Sequence, residues 1–84
     1  MSYRVILADD EEMLREGLVY LVDWQSLGCE IIHRAANGQE VVTWLENHDE
    51  PVDIIVSDIK MPVMDGLQVA EYVCRNCAGT TEVI

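Results

Sequence analysis

Ile54-Ile55-Val56-Ser57-Asp58 closes the most strand-like stretch of the chain, Asp53 to Ser57, and ends on a lone carboxylate. Near the start, Val5-Ile6-Leu7-Ala8 has the same form and runs into Asp9-Asp10-Glu11-Glu12. Short, continuous apolar runs rich in β-branched residues read as strands buried in a parallel sheet. A carboxylate at a strand end does little for folding. If the two strands lie side by side, Asp9, Asp10 and Asp58 converge in one crevice. Like charges held that close repel one another unless a cation joins them.

Working outward, the pattern alternates. Tyr3 to Ala8 is the first strand. From Glu11 to Val22 the period turns helical, with Leu14, Leu18, Leu21 and Val22 on one apolar stripe. The acids at its start suit the positive end of the helix dipole. Asp23 to Cys29 is a connection broken by Gly28. Glu30 to Ala35 is a second, more polar strand that suits a sheet edge. Asn37-Gly38-Gln39-Glu40 has the form of a capping box and opens a helix to about His48 that buries Val41, Trp44 and Leu45. Asp65-Gly66-Leu67-Gln68 has the same form and opens a helix to about Cys77, with a stripe of Ala70, Val73, Cys74 and Cys77. Glu82-Val83-Ile84 begins a fourth strand.

The order β-α-β-α-β-α-β predicts an α/β fold: a doubly wound parallel sheet with right-handed crossovers and helices on both faces. Sites in such sheets form at the carboxyl ends of strands where the winding reverses. If the second strand lies outside the first, strands one and three are neighbours across that switch point. The expected strand order is then 2-1-3-4.

Composition narrows the function. The chain has 84 residues, half of them hydrophobic, which allows one domain at most. Its net charge is −11, from 16 acids against 5 bases. That argues against nucleic-acid binding by this segment, because neutralising phosphates needs clustered Lys and Arg. A basic partner or a metal fits better. No segment reads as a signal peptide or a membrane span, so no membrane partner is expected. Three cysteines make an odd count, and reduced thiols in a cytoplasmic setting are the expectation.

A hard divalent cation such as Mg2+ takes oxygen ligands, commonly one or two carboxylates plus waters and phosphate oxygens. Asp9, Asp10 and Asp58 supply enough carboxylates. A carboxylate also serves as a nucleophile toward phosphorus. Asp58 suits that role because it stands alone at its strand end. Asp9 and Asp10 are adjacent and so point differently. Spacing alone leaves two readings open: a metal or phosphate site, or helix capping, with Asp10 placed to cap the first helix.

Val5-Ile6-Leu7-Ala8-Asp9-Asp10-Glu11 resembles the opening of two-component response-regulator receiver domains. Ile55-Val56-Ser57-Asp58-Ile59-Lys60-Met61-Pro62, followed by Met64-Asp65-Gly66, resembles their phosphorylation-site strand and loop. The Asp23-Trp24…Leu27-Gly28 connection and the Ala35-Ala36-Asn37-Gly38 turn resemble receivers that precede an AraC-type DNA-binding domain. The resemblance covers the whole chain. It implies a flavodoxin-like fold, phosphorylation of Asp58 by a sensor histidine kinase, and Mg2+ held by Asp9, Asp10, Asp58 and the backbone carbonyl of Lys60. It also implies a cytoplasmic protein that meets DNA only through a C-terminal output domain absent from this chain. A receiver catalyses its own phosphotransfer and dephosphorylation but turns over no separate substrate, so an enzyme is not expected.

The family also uses a Ser or Thr at the end of the fourth strand and a Lys at the end of the fifth. Neither lies before Ile84. Residues 1–84 are therefore expected to form a partial receiver, lacking most of the fourth strand and the helix–strand–helix beyond it. The open sheet face and unpaired edge predict self-association or exchange of elements. The rival readings are a receiver-like interaction or dimerisation module without phosphorylation, and a phosphatase working through an aspartyl phosphate. The latter usually needs an acid two residues after the nucleophile, where this chain has Lys60.

Other residues read blandly. Cys74 and Cys77 have metal-site spacing but no second pair, and buried thiols are expected. His33 and His48 read as isolated surface imidazoles, and Trp24 and Trp44 as core or core-edge residues. Ser57 is expected to point away from the site, by strand alternation.

Overall fold

A computed structural model describes residues 3–48, 51–58, 63–76 and 82–83. It contains β1 (Tyr3–Ala8), α1 (Glu12–Leu21), β2 (Cys29–Ala35), α2 (Gly38–Asn47), β3 (Ile54–Ser57), α3 (Gly66–Asn76) and β4 (Glu82–Val83). The sheet order is β2-β1-β3-β4, and every pairing is parallel. The alternation and the strand order expected from the sequence are both present, and the most polar strand, β2, does lie at the edge.

Alternation along β1 divides its side chains between two faces. Ile6 and Ala8 join Ala35, Val41, Val52, Ile55, Val69 and Val73 in one buried cluster, packed under Trp44, Leu45, Met64 and Tyr72 of α2, α3 and their approaches. Leu7 and Val56 turn the other way, onto a cleft that Leu14 and Leu18 of α1 also border. The β1–β2 register slips between Val5 and Ile6, so Ile32 is an extra residue on the edge strand. The start of β3 is fastened to β1 by Asp53, whose backbone N–H donates to the Arg4 carbonyl at 2.9 Å. Its carboxylate accepts from the Arg4 backbone N–H at 2.8 Å.

Both expected caps form, with the return bond at α2 reaching one residue before the N-cap. Asn37 accepts the Glu40 N–H at 2.9 Å, while the Glu40 carboxylate accepts the Ala36 N–H at 3.0 Å. Asp65 accepts the Gln68 N–H at 2.9 Å, and the Gln68 side chain accepts the Asp65 N–H at 3.0 Å. At the far end of α1, the Trp24 indole N–H donates to the Leu18 carbonyl at 3.1 Å, a second donor on an oxygen that also accepts the Val22 N–H at 3.3 Å. Trp24 is half-buried, as expected of a core-edge residue. Gly28 then turns the chain into β2 with φ of 72°, a conformation glycine adopts without a Cβ penalty.

Three details of the helices correct the sequence reading or go beyond it. The α1 stripe is not covered: no residue of α1 is buried, Leu14 is 50% exposed and Leu21 87%. Among the described elements, α1 packs only lightly against its surroundings, so its apolar face has the sheet but no opposing helix. The α3 stripe runs through Val69 and Val73, and Cys74 is exposed. The expected buried thiol is therefore wrong for Cys74; Cys29 is half-buried, and Cys77 lies outside the described residues. Finally, Asp10 does not cap α1: the N-cap is Glu11, and its side chain makes no capping hydrogen bond.

Candidate metal and phosphoacceptor site

The site sits where β1 and β3 end side by side. Each strand's ladder runs one step past its last residue. The Asp9 N–H donates to the Ala35 carbonyl at 3.1 Å, and the Asp58 N–H donates to the Ala8 carbonyl at 3.0 Å. These bonds fix the backbones from which the two carboxylates leave. Asp9 is fixed further, because its Oδ1 accepts the Glu11 N–H at 2.9 Å and folds the chain toward α1.

Asp9, Asp10 and Asp58 each offer a carboxylate oxygen, and these oxygens all lie within 4.8 Å of one another. The sequence reading thus places the right three acids together. Around one octahedral Mg2+, with metal–oxygen distances of about 2.1 Å, ligand oxygens stand about 3 to 4 Å apart. Small side-chain rotations bring the three oxygens into that range. Asp10 and Asp58 are exposed and Asp9 half-buried, so an ion and its waters can reach them. The Lys60 carbonyl, the fourth expected ligand, lies outside the described residues.

A cleft of about 260 Å³ opens beside the acids, bordered by Leu7, Ala8, Leu14, Leu18 and Val56 and carrying Asp9, Asp58 and Arg15. It is large enough for a phosphoryl group with its waters. Ser57 borders this cleft too. At the strand end its backbone reaches the cleft whichever way the side chain turns, and its hydroxyl is donated to the Asp58 carbonyl at 2.9 Å. That bond leaves the hydroxyl ill placed as a nucleophile.

The loop before α3 is fixed against the start of α2. The Gly38 N–H, at the start of α2, donates to the Met64 carbonyl at 2.9 Å. A Cβ on Gly38 would run into that carbonyl and stand 2.7 Å from Val69 Cγ2, so the close approach requires glycine. Val63 sits in the same loop with φ of 70°, left-handed backbone that disfavours a β-branched residue by about 1–2 kcal/mol.

Two arrangements were not foreseen. Arg15 borders the cleft beside the acids, and its Nη1 donates to the Asp9 carbonyl at 2.9 Å. On the opposite side of the fold, His33 and His48 are not isolated. Both rings stack on Trp44, with centroids 5.6 Å and 4.1 Å away and interplanar angles of 19° and 11°. His48 Nδ1 lies 2.8 Å from the Trp44 carbonyl, where its N–H caps the end of α2. Burial holds the His33 imidazole below its ordinary value, an effect that Glu40 partly opposes and that His48 and Arg34 reinforce. The i, i+4 spacing of Trp44 and His48 was a usable signal for half of this stack.

Comparison with known proteins agrees with this geometry. The profile of the response regulator receiver domain matches residues 5–84. The transcriptional regulatory protein YesN of Bacillus subtilis is 39% identical over 71 residues, 84% of this chain and 19% of that protein. The response regulatory protein VC_A0850 of Vibrio cholerae is 42% identical over 71 residues, 82% of this chain and 26% of its own length. The chain thus spans about a fifth to a quarter of these regulators. Among solved structures, the receiver domain of AraT, a response regulator from Geobacillus stearothermophilus, superposes with a TM-score of 0.83 at 32% identity, over 99% of this chain and 64% of that one. CheY of Borrelia burgdorferi, solved with CheX, BeF3 and magnesium, gives 0.80 at 31% identity, over 96% of this chain and 58% of the other. A two-component transcriptional regulator AraC from Clostridium phytofermentans gives 0.82 at 26%, over 96% and 61%. With its sheet order, its acid cluster and these matches in agreement, the chain belongs to the response regulator receiver domain family of two-component systems.

Proposed function

We propose that this receiver is phosphorylated on Asp58 by a sensor histidine kinase, with Mg2+ bound by Asp9, Asp10 and Asp58. The observation that carries the proposal is the convergence of the three carboxylates within 4.8 Å at the ends of β1 and β3. A bound divalent ion supplies charge neutralisation for the acids and the incoming phosphoryl group. The chain's own residues do the rest. The Ala8 carbonyl holds the Asp58 backbone, and the Glu11 N–H and Ala35 carbonyl hold Asp9. An Asp58 oxygen attacks phosphorus, the new O–P bond forms, and the donor's P–N bond breaks. The electron pair stays on the kinase imidazole, which takes a proton from water. That CheY of Borrelia burgdorferi was solved with BeF3 and magnesium supports this reading.

The module turns over no separate substrate, so it acts as a switch rather than an enzyme. In the longer protein it works in the cytoplasm and governs transcription through a DNA-binding output domain, a role supported by the transcriptional regulators among its relatives.

The test is incubation with Mg2+ and acetyl phosphate, read by intact mass, for the wild type and Asp58→Asn. A gain of one phosphoryl group in the wild type alone, abolished by chelation of Mg2+, is the expected result. A folded wild type that gains none refutes the proposal and favours an interaction module without phosphorylation.

A further inference from the structure

The Asp58 cleft is walled by acids in a chain of net charge −11, and its donor is itself an anion. Among the described residues that border the cleft, one base stands against this repulsion: Arg15. Its side chain is only 14% exposed, so its charge is less screened than that of a surface arginine. Two bonds hold it. Nη1 donates to the Asp9 carbonyl at 2.9 Å, and Nε meets Glu16 Oε2 at 3.1 Å. The other oxygen of Glu16 takes Arg34 Nη1 at 2.6 Å, reaching α1 from the edge strand β2.

Glu16 thus divides one negative charge between two guanidiniums, and the Arg15–Glu16–Arg34 group carries a net charge of about +1. A lone Arg–Glu pair would be neutral. Arg34 leaves Arg15 with a surplus of positive charge while the bonds to Asp9 and Glu16 fix where that charge sits. A fixed guanidinium is well matched to a phosphoryl group's oxygens.

We propose that Arg15 is the recruiting cation of the Asp58 site: it draws the anionic phosphodonor into the cleft, and Glu16 and Arg34 are its positioning residues. This rests on the phosphoacceptor reading above. A charge role and a purely structural role differ in sign at the metal. Neutralising a cation beside three carboxylates tightens divalent-ion binding, whereas loosening the loop that carries Asp9 and Asp10 weakens it.

The experiment compares the wild type, Arg15→Gln, Arg15→Lys and Asp58→Asn. Mg2+ affinity is measured by calorimetry, and the rate of Asp58 loading is measured against acetyl phosphate concentration. For Arg15→Gln, the half-saturating acetyl phosphate rises about 5-fold with the limiting rate little changed, and Mg2+ binds as tightly as in the wild type or about 2-fold tighter. Arg15→Lys restores most of the donor saturation. Weaker Mg2+ binding with unchanged donor saturation in Arg15→Gln overturns the inference and leaves Arg15 a structural residue. If the wild type itself does not load, the phosphoacceptor reading falls, and the inference with it. If the wild type loads and Asp58→Asn does not, the reading stands whatever Arg15→Gln does.

Discussion

The two faces of the sheet are built from similar helices and end in different states. Against α2 and α3, the sheet buries Ile6, Ile55, Val41 and Val69 completely. On the α1 side, Met13, Tyr20 and Leu21 are each at least 85% exposed. Amphipathic pattern is not what separates them, since α1 carries its leucines at helical spacing as regularly as α2 carries Val41, Trp44 and Leu45. The difference is partnership. α2 and α3 pack on each other as well as on the sheet, while α1 has the sheet alone among the described elements. An apolar stripe marks which side of a helix can be buried, and burial itself needs a second surface.

The largest expected effects come from breaking the closed face. Ile55→Ala should cost about 2–5 kcal/mol, because it removes a fully buried side chain and leaves a cavity. On the open face, Leu21→Ala should change stability by less than about 0.5 kcal/mol. Urea melts of both variants check the pair, and equal losses would contradict the contrast. Gly38→Ala should cost about 1–3 kcal/mol, since the new methyl meets the Met64 carbonyl and Val69. Gly17 in α1 is its opposite: a Cβ there meets nothing within 4 Å. Gly17→Ala should stabilise by about 0.5–1 kcal/mol through helix propensity, seen as a higher Tm.

A smaller effect is set by pH. His33 is held neutral by burial against Trp44, so the unfolded chain binds its proton more readily than the folded one. Its contribution is complete above the unfolded imidazole value of about 6.5 and is lost as pH falls below it, toward the lowered folded value. Denaturant melts at neutral and mildly acid pH should show a larger acid loss for the wild type than for His33→Gln. An equal loss in both would show that His33 carries none of it.

Much of this was legible locally. The runs at Val5–Ala8 and Ile54–Ser57 needed only their β-branched continuity to read as buried strands. Asn37–Glu40 and Asp65–Gln68 needed only their four-residue spacing to read as caps. The acid cluster followed from strand order, which the switch-point rule supplies. What was not legible depends on residues far apart in the chain. The α3 face keeps Val73 and swings toward Val69 and away from Cys74, as packing against α2 and the sheet requires. The His33–Trp44 stack joins β2 to α2, and the Arg15–Glu16–Arg34 group joins α1 to β2. Neither has a periodicity to betray it. Asp9, not Asp10, steadies the start of α1, a choice made by which carboxylate the β1 end turns toward the Glu11 N–H.

The central claim is that three acids at two strand ends divide their labour, Asp9 and Asp10 holding the metal and Asp58 taking the phosphoryl group. Its most direct test is borohydride reduction of the acetyl phosphate-treated protein, followed by peptide mapping. An acyl phosphate is reduced to the alcohol, so the modified aspartate is read as homoserine at its own position. The account predicts homoserine at position 58 alone, dependent on Mg2+ and lost in a folded Asp9→Asn, Asp10→Asn double variant. Homoserine at position 9 or 10, or unimpaired reaction at 58 without the metal or its two acids, would contradict it.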